Sequence, residues 1–167
     1  INVEKYDCSL KILDLGCGTG MCGTKFKPMA QELIGIDLST KMLDIAQQKN
    51  VYSDLKNIPI EEAVTIFSDI DLIIAAESFV YFGILENIFV GCYNSLKPDG
   101  IFAFTVEKTD QYPYILQLSA RFAHSTKYIE EIAINNGFII LKSNKITLRK
   151  HYDTVIDGYI FVLKKII

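Results

Sequence analysis

A strand that runs straight into three alternating glycines constrains this chain more than any other feature. Residues 11–23 read KILDLGCGTGMCG. The apolar run over 11–15 predicts a buried parallel strand, and Gly16, Gly18 and Gly20 predict a turn at its carboxyl end. Glycine permits positive φ and carries no Cβ, so backbone built from it can lie directly against a bound molecule. A plain strand-to-helix turn needs fewer glycines than this. The rest of the chain must therefore supply a sheet in which such a strand is central.

It does so by alternation. After the first strand the pattern predicts a helix over 20–29 with Met21, Phe26 and Met29 inward and Pro28 near its end. A strand follows over 32–37 (ELIGID), then a helix capped by Ser39, with Leu38, Met42, Leu43 and Ala46 at helical spacing. A short strand over 55–58 is ended by Pro59, and Glu61 and Glu62 fall in the first turn of a helix over 60–67. IDLIIAA at 70–76 reads as a central strand. An aromatic loop over 77–83, a helix over 85–96, the turn Lys97-Pro98-Asp99-Gly100 and a strand over 101–106 come next. A short helix is expected over 114–121, and a longer one from Ser125 or Thr126 to Asn136, closed by Gly137. Two β-rich runs, 138–148 and 155–163, end the chain as an antiparallel pair. The fold class is α/β: a Rossmann-like, seven-stranded, mostly parallel sheet with helices on both faces and a terminal antiparallel strand.

Composition narrows what such a sheet serves. At 167 residues, with no low-complexity linker, 1–167 reads as a single domain. A net charge of −3 argues against nucleic acid as partner, because phosphate contacts want a basic face. Cys8, Cys17, Cys22 and Cys92 show no zinc spacing, and with only His124 and His151 beside them no metal site is expected. The thiols read as reduced, which places the chain in the cytoplasm, and no apolar run reaches the length of a membrane span. The chain starts at Ile1, so preceding elements or a partner domain are expected.

In an open parallel sheet, ligands bind beyond the carboxyl ends of the strands. That rule gathers Gly16–Gly20, Asp37, 57–60, 76–82 and Glu107 around one crevice. Asp37 ends the second strand, where a carboxylate can accept hydrogen bonds from both hydroxyls of a ribose; its other reading is a solvated turn acid or helix cap. Residues 18–23 (GTGMCG) also fit the dinucleotide fingerprint GxGxxG. Against that stand the extra glycine at 16, the absence of a second mononucleotide half, and the terminal antiparallel pair.

ILDLGCGTG followed by GIDLSTKML resembles the first two motifs of the class I S-adenosylmethionine-dependent methyltransferases, and LKPDGIFAFTVE is similar to the entry into that family's fifth strand. The wording DLIIAAESFVYFG and RFAHSTKYIEEIAINNGF resembles a bacterial group of predicted methyltransferases, some of which carry tetratricopeptide repeats. The resemblance implies S-adenosylmethionine as cofactor and a small molecule or protein as methyl acceptor. It implies that Asp14 holds the glycine loop or the methionyl amino group, that Gly16, Cys17, Gly18 and Gly20 pass under the cofactor, and that Asp37 binds the ribose. Leu38 and Met42 would line the adenine, Ala76 and Glu77 the methionyl end, with Phe79, Tyr81 and Phe82 facing the acceptor. The family's acidic residue after strand three is replaced by Pro59, which leaves Asn57, Ile58 or Ile60 to meet the adenine. His124, Glu77 and Tyr81 are the candidates for catalysis, His124 because its ordinary pKa suits proton transfer; its alternative is a structural hydrogen bond. The competing function is a non-catalytic cofactor-binding assembly or regulatory domain.

Overall fold

The computed structural model describes residues 9–151 and 154–166. Cys8 and residues 152–153 lie outside them, as do the side chains of His151 and Thr154. Five strands in chain order, β1 (Leu10–Leu15), β2 (Ala30–Ile36), β3 (Asp54–Lys56), β4 (Ile70–Ala75) and β5 (Leu96–Lys108), lie parallel in the spatial order β3-β2-β1-β4-β5. Strand order thus reverses between β1 and β4, which opens a crevice above their carboxyl ends.

Alternation along β1 decides which residues meet which face. Leu13 and Leu15 point into a cluster with Ile34, Ile36, Ile73, Phe102 and Phe104. That side is covered by α3 (Ile60–Ile66), α4 (Glu86–Ser95) and α5 (Thr126–Asn135), through residues such as Val64, Phe89 and Ile129. Ile12 points the other way, with Leu33, Leu72 and Ile74, where Cys22 and Phe26 of α1 (Met21–Phe26) and Tyr52 pack. Helix α2 (Thr40–Gln48) buries Leu43 and Ala46 and is capped by Ser39, whose Oγ accepts from the Met42 N–H at 3.4 Å. Helix α1 is shorter than expected, a 3-10 turn over Lys27–Met29 taking its last residues. Met29 and Phe26 do turn inward, but Met21, the residue after the loop, is 72% exposed at the cavity mouth.

Two hairpins pair with β5, one long and one short. Strands β8 (Phe138–His151) and β9 (Thr154–Lys165) form the long antiparallel pair, and β9 also runs antiparallel to β5, setting Phe104 against Phe161 with rings stacked at 5.4 Å. The mostly parallel sheet with a reversed terminal strand is thus as expected, extended by two short strands. These are β6 (Tyr114–Leu116) and β7 (Phe122–His124), antiparallel to one another, with β7 pairing in parallel beside Glu107 and Lys108 of β5. A helix was expected over 114–121. The residues form a hairpin instead because Tyr114 and Phe122 pack edge to face across it at 5.8 Å, over Gly83. The turn at 97–100 also differs: it is a step inside β5, with pairing jumping from Ile70–Leu96 to Leu72–Ile101.

Candidate active site

The loop after β1 is held by backbone alone on one side. Gly16 and Cys17 both donate to the Ile36 carbonyl at 2.8 Å, and the Ser78 hydroxyl donates to the Leu15 carbonyl at 2.7 Å. Gly16, Gly18 and Gly20 have φ of 73°, 52° and 79°, the left-handed region that an L side chain resists. A Cβ on Gly18 would meet nothing within 4 Å, because that position faces open cavity.

Asp37 ties this loop to its neighbours. One carboxylate oxygen accepts from the Gly18 N–H at 2.9 Å and the other from the Ser39 N–H at 2.8 Å. Each oxygen keeps a further lone pair. The Asn57 amide donates to the Asp37 carbonyl at 3.0 Å, so it is spent on holding the loop and does not line the cavity. Gly20 is also absent from the lining; it packs against Tyr52 and Ala46.

The cavity above these strand ends measures about 610 Å³, within the range of small-molecule sites. Its floor is Asp14, 1% exposed, whose Oδ2 accepts from the Tyr52 hydroxyl at 2.7 Å. Burial raises the Asp14 pKa to about 7; the Tyr52 hydrogen bond opposes that and the nearby Asp37 charge adds to it. Burial likewise pushes Cys17 up to about 12 and Cys22 up to about 11, so both cavity thiols stay protonated near neutral pH and are poor nucleophiles. One wall is apolar: Leu38 and Met42, both exposed on the surface of α2's entry, with Ile58 and Ile60 opposite. Ala76, Glu77, Ser78, Tyr81 and Phe82 form the other end.

Glu77 stands at that end with φ 60°, its N–H bonded to the Thr105 hydroxyl at 2.9 Å. Its Oε2 pairs with the Arg149 guanidinium, which also pairs with the buried Glu107 carboxylate. Gln117 donates to the second Glu107 oxygen at 2.8 Å. Arg121 lies 4.0 Å from Glu107 and 5.9 Å over the Tyr81 ring. Glu77 Oε1 is buried and has no hydrogen-bond partner among the described residues.

Two expected acceptor-side residues stand elsewhere. Phe79 is fully buried in the core against Phe102 and Phe104. His124 does not line the cavity; its exposure is 0%, its Nε2 lies 3.1 Å from the Gly83 carbonyl, and burial lowers its pKa. The ring stacks on Tyr128 beneath the loop, which makes it the structural hydrogen-bonder of its two readings. Conversely, Tyr52 and Arg149 reach the site with no local signature, 38 residues from Asp14 and 72 from Glu77, while Ser78 lies inside the 76–82 stretch already placed at the crevice. Among the described residues no group of three or more His, Cys, Asp or Glu could hold a metal ion, and no helix is long and apolar enough to cross a membrane.

The residues fit S-adenosylmethionine: a glycine turn that opens onto the cavity, an acid at the end of β2 with lone pairs to spare, an apolar wall and a buried acid at the floor. Comparison with known proteins agrees. Residues 12–100 match the methyltransferase domain family. A probable S-adenosylmethionine-dependent methyltransferase of Saccharomyces cerevisiae is 30% identical over 150 residues, 79% of this chain and 51% of that protein. The chain therefore spans about half the length of that relative. Among solved structures, an S-adenosylmethionine-dependent methyltransferase of Methanosarcina mazei superposes with TM-score 0.79 at 14% identity, covering 97% of this chain and 95% of that one. The cyclase SpnF superposes with TM-score 0.80 at 17% identity over 96% of this chain and 77% of its own, so the fold alone does not name the reaction. Motif, cavity and family match together make this chain a member of the class I S-adenosylmethionine-dependent methyltransferases, with S-adenosylmethionine as its cofactor.

Proposed function

We infer that the chain transfers a methyl group from S-adenosylmethionine to a nucleophilic atom of a small-molecule or protein acceptor. The observation that carries this reading is Asp37. Its two oxygens anchor Gly18 and Ser39 and still face the cavity mouth, where a ribose diol can take the remaining lone pairs. Leu38, Met42 and Ile58 would hold the adenine by apolar contact, with Ile58 and Ile60 standing where the family's usual acid is absent. Asp14 and Ala76 would receive the methionyl end, over Gly16, Cys17 and Gly18. When bound, the cofactor supplies an electrophilic methyl on a sulfonium, and the protein's share is alignment and exclusion of water.

At the acceptor end, Tyr81 and Phe82 present aromatic surface to that sulfonium, and Arg121 over Tyr81 fixes the ring. Glu77 is the one acid lining that end, and its unpartnered Oε1 suits the O–H or N–H of an acceptor as the proton is lost. His124 contributes by holding Gly83 under the loop. Calorimetry with S-adenosylhomocysteine and NAD tests the assignment. S-Adenosylhomocysteine should bind, NAD should not, and Asp37→Ala should weaken S-adenosylhomocysteine at least tenfold, about 1.4 kcal/mol. An unchanged dissociation constant refutes the ribose role; absence of heat in the wild type refutes the cofactor site. Binding without turnover across hydroxyl, amine, thiol and carboxylate acceptors would favour the non-catalytic alternative.

A further inference from the structure

One phenol is locked beneath the glycine loop by three missing side chains. Tyr52 leaves α2's far end and slides its ring between α1 and β2. A Cβ on Gly20 would come within 2.9 Å of the ring, one on Gly23 within 2.3 Å of its hydroxyl, and one on Gly35 within 2.8 Å of the opposite ring edge. No other side chain at those three positions leaves room for the ring. The hydroxyl at the end of this slot meets Asp14 Oδ2 at 2.7 Å and is the only donor to that carboxylate among the described residues.

We propose that Tyr52 is a positioning residue of the cofactor site: it orients the Asp14 carboxylate to receive the ammonium of the cofactor's methionyl part. This rests on the reading of the cavity given above. The groups around Asp14 make the phenol decisive. Asp37 faces it from the end of β2, Cys17 from the loop and Cys22 from α1; the two thiols are held protonated by burial, and none of these groups is a cation. A buried carboxylate without a cation resists ionising, and a neutral acid is a poor partner for an ammonium. The Tyr52 hydrogen bond is the one contact that favours the charged form. Burial and Asp14 both push the Tyr52 phenol up, so it stays protonated and remains the donor.

The test is the pH profile of ligand affinity, read with two ligands. S-Adenosylhomocysteine carries the ammonium; 5′-methylthioadenosine keeps the adenosine and lacks the amino-acid part. In the wild type, S-adenosylhomocysteine should bind more tightly as pH rises through about 7, where Asp14 ionises. Tyr52→Phe keeps the ring and deletes the donor. Losing a hydrogen bond to a charged group should move that midpoint up by about one pH unit. At pH 7 this weakens S-adenosylhomocysteine about fivefold and leaves methylthioadenosine unchanged. Equal weakening of both ligands would mean that Tyr52 only props the loop, and the proposal falls. An unmoved midpoint overturns it too. If neither ligand binds the wild type, the cofactor reading itself has failed, which is a different result. Should Tyr52→Phe not fold, fluorotyrosine at position 52 supplies the check with opposite sign. A more acidic phenol donates more strongly, so the midpoint should fall, and a midpoint that stays or rises overturns the proposal.

Discussion

A single methyl group at residue 18 separates what the glycine loop does for the fold from what it does for a ligand. Gly18 has φ 52°, and a Cβ there meets nothing within 4 Å. Gly18→Ala therefore costs the fold only the left-handed conformation, about 1–2 kcal/mol. Gly16 sits at φ 73°, and its Cβ would fall 2.3 Å from the Ser78 Oγ and 2.8 Å from the Ser78 Cβ. Ser78 cannot yield cheaply, because its hydroxyl is bonded to the Leu15 carbonyl at 2.7 Å. Gly16→Ala thus pays the same backbone cost plus overpacking of about 1–3 kcal/mol. In a chain of this size each kcal/mol lowers Tm by about 2–4 °C. Scanning fluorimetry should place Gly16→Ala several degrees below Gly18→Ala. Calorimetry should reverse their significance: Gly18→Ala, although the more stable of the two, should lose at least tenfold in S-adenosylhomocysteine affinity, about 1.4 kcal/mol, because its new methyl stands in the cofactor's space. Wild-type affinity in Gly18→Ala would refute the placement of the cofactor over this loop. Equal Tm values would refute the steric account of Gly16.

Two further outcomes follow from charges at the cavity's ends. Arg149→Gln leaves the buried Glu107 and its neighbour Glu77 facing each other without their shared cation. Stability should fall by about 2–3 kcal/mol, below the roughly 3–5 kcal/mol of a fully buried pair because the arginine is 25% exposed, and the denaturation midpoint reads it. At the other end, Asp14 has its pKa raised from 3.8 to about 7 in the folded protein. Between those values the unfolded chain has lost the proton that the folded one keeps, so this group's contribution to stability declines as pH rises through that window and is flat above it. Tm of the ligand-free protein should fall less between pH 4 and 7 in Asp14→Asn than in the wild type; parallel curves would show that Asp14 titrates normally.

Those parts of the site that depend on near neighbours were readable from the sequence. Gly16, Gly18 and Gly20 adopt the positive φ that their spacing announced, and Asp37 lies one residue beyond β2, bonded to the loop. Parallel strands show as apolar runs because both faces are covered, so β1 and β4 were also plain, and the antiparallel pair β8 and β9 showed as two β-rich runs. Long-range contacts were not. The hairpin of β6 and β7 exists because Tyr114 and Phe122 meet over Gly83, which no periodicity over 114–121 encodes. His124 looked like a proton carrier by residue type, yet β7 carries it into the core. Asn57 was expected at the adenine and instead braces Asp37. Tyr52 and Arg149 were invisible for the same reason: a tyrosine and an arginine acquire roles only from the residues that tertiary structure sets beside them.

The placing of β9 between β5 and β8 has a consequence for the order in which the molecule can be completed. Residues 14–82 supply every side chain that lines the cavity, and Tyr52 beneath it, so the lining itself needs nothing made later. What comes later is the arginine that holds Glu77 at one end of it. Until β9 docks, β5 exposes a long unpaired edge from Ile101 to Glu107, open to pairing with another chain. Until Arg149 arrives with that hairpin, Glu77 and Glu107 lack their shared counter-ion. A nascent chain therefore carries the whole cavity lining well before it has the hairpin of β8 and β9, and the hairpin that covers the β5 edge against pairing with another chain also brings the arginine that neutralises Glu77.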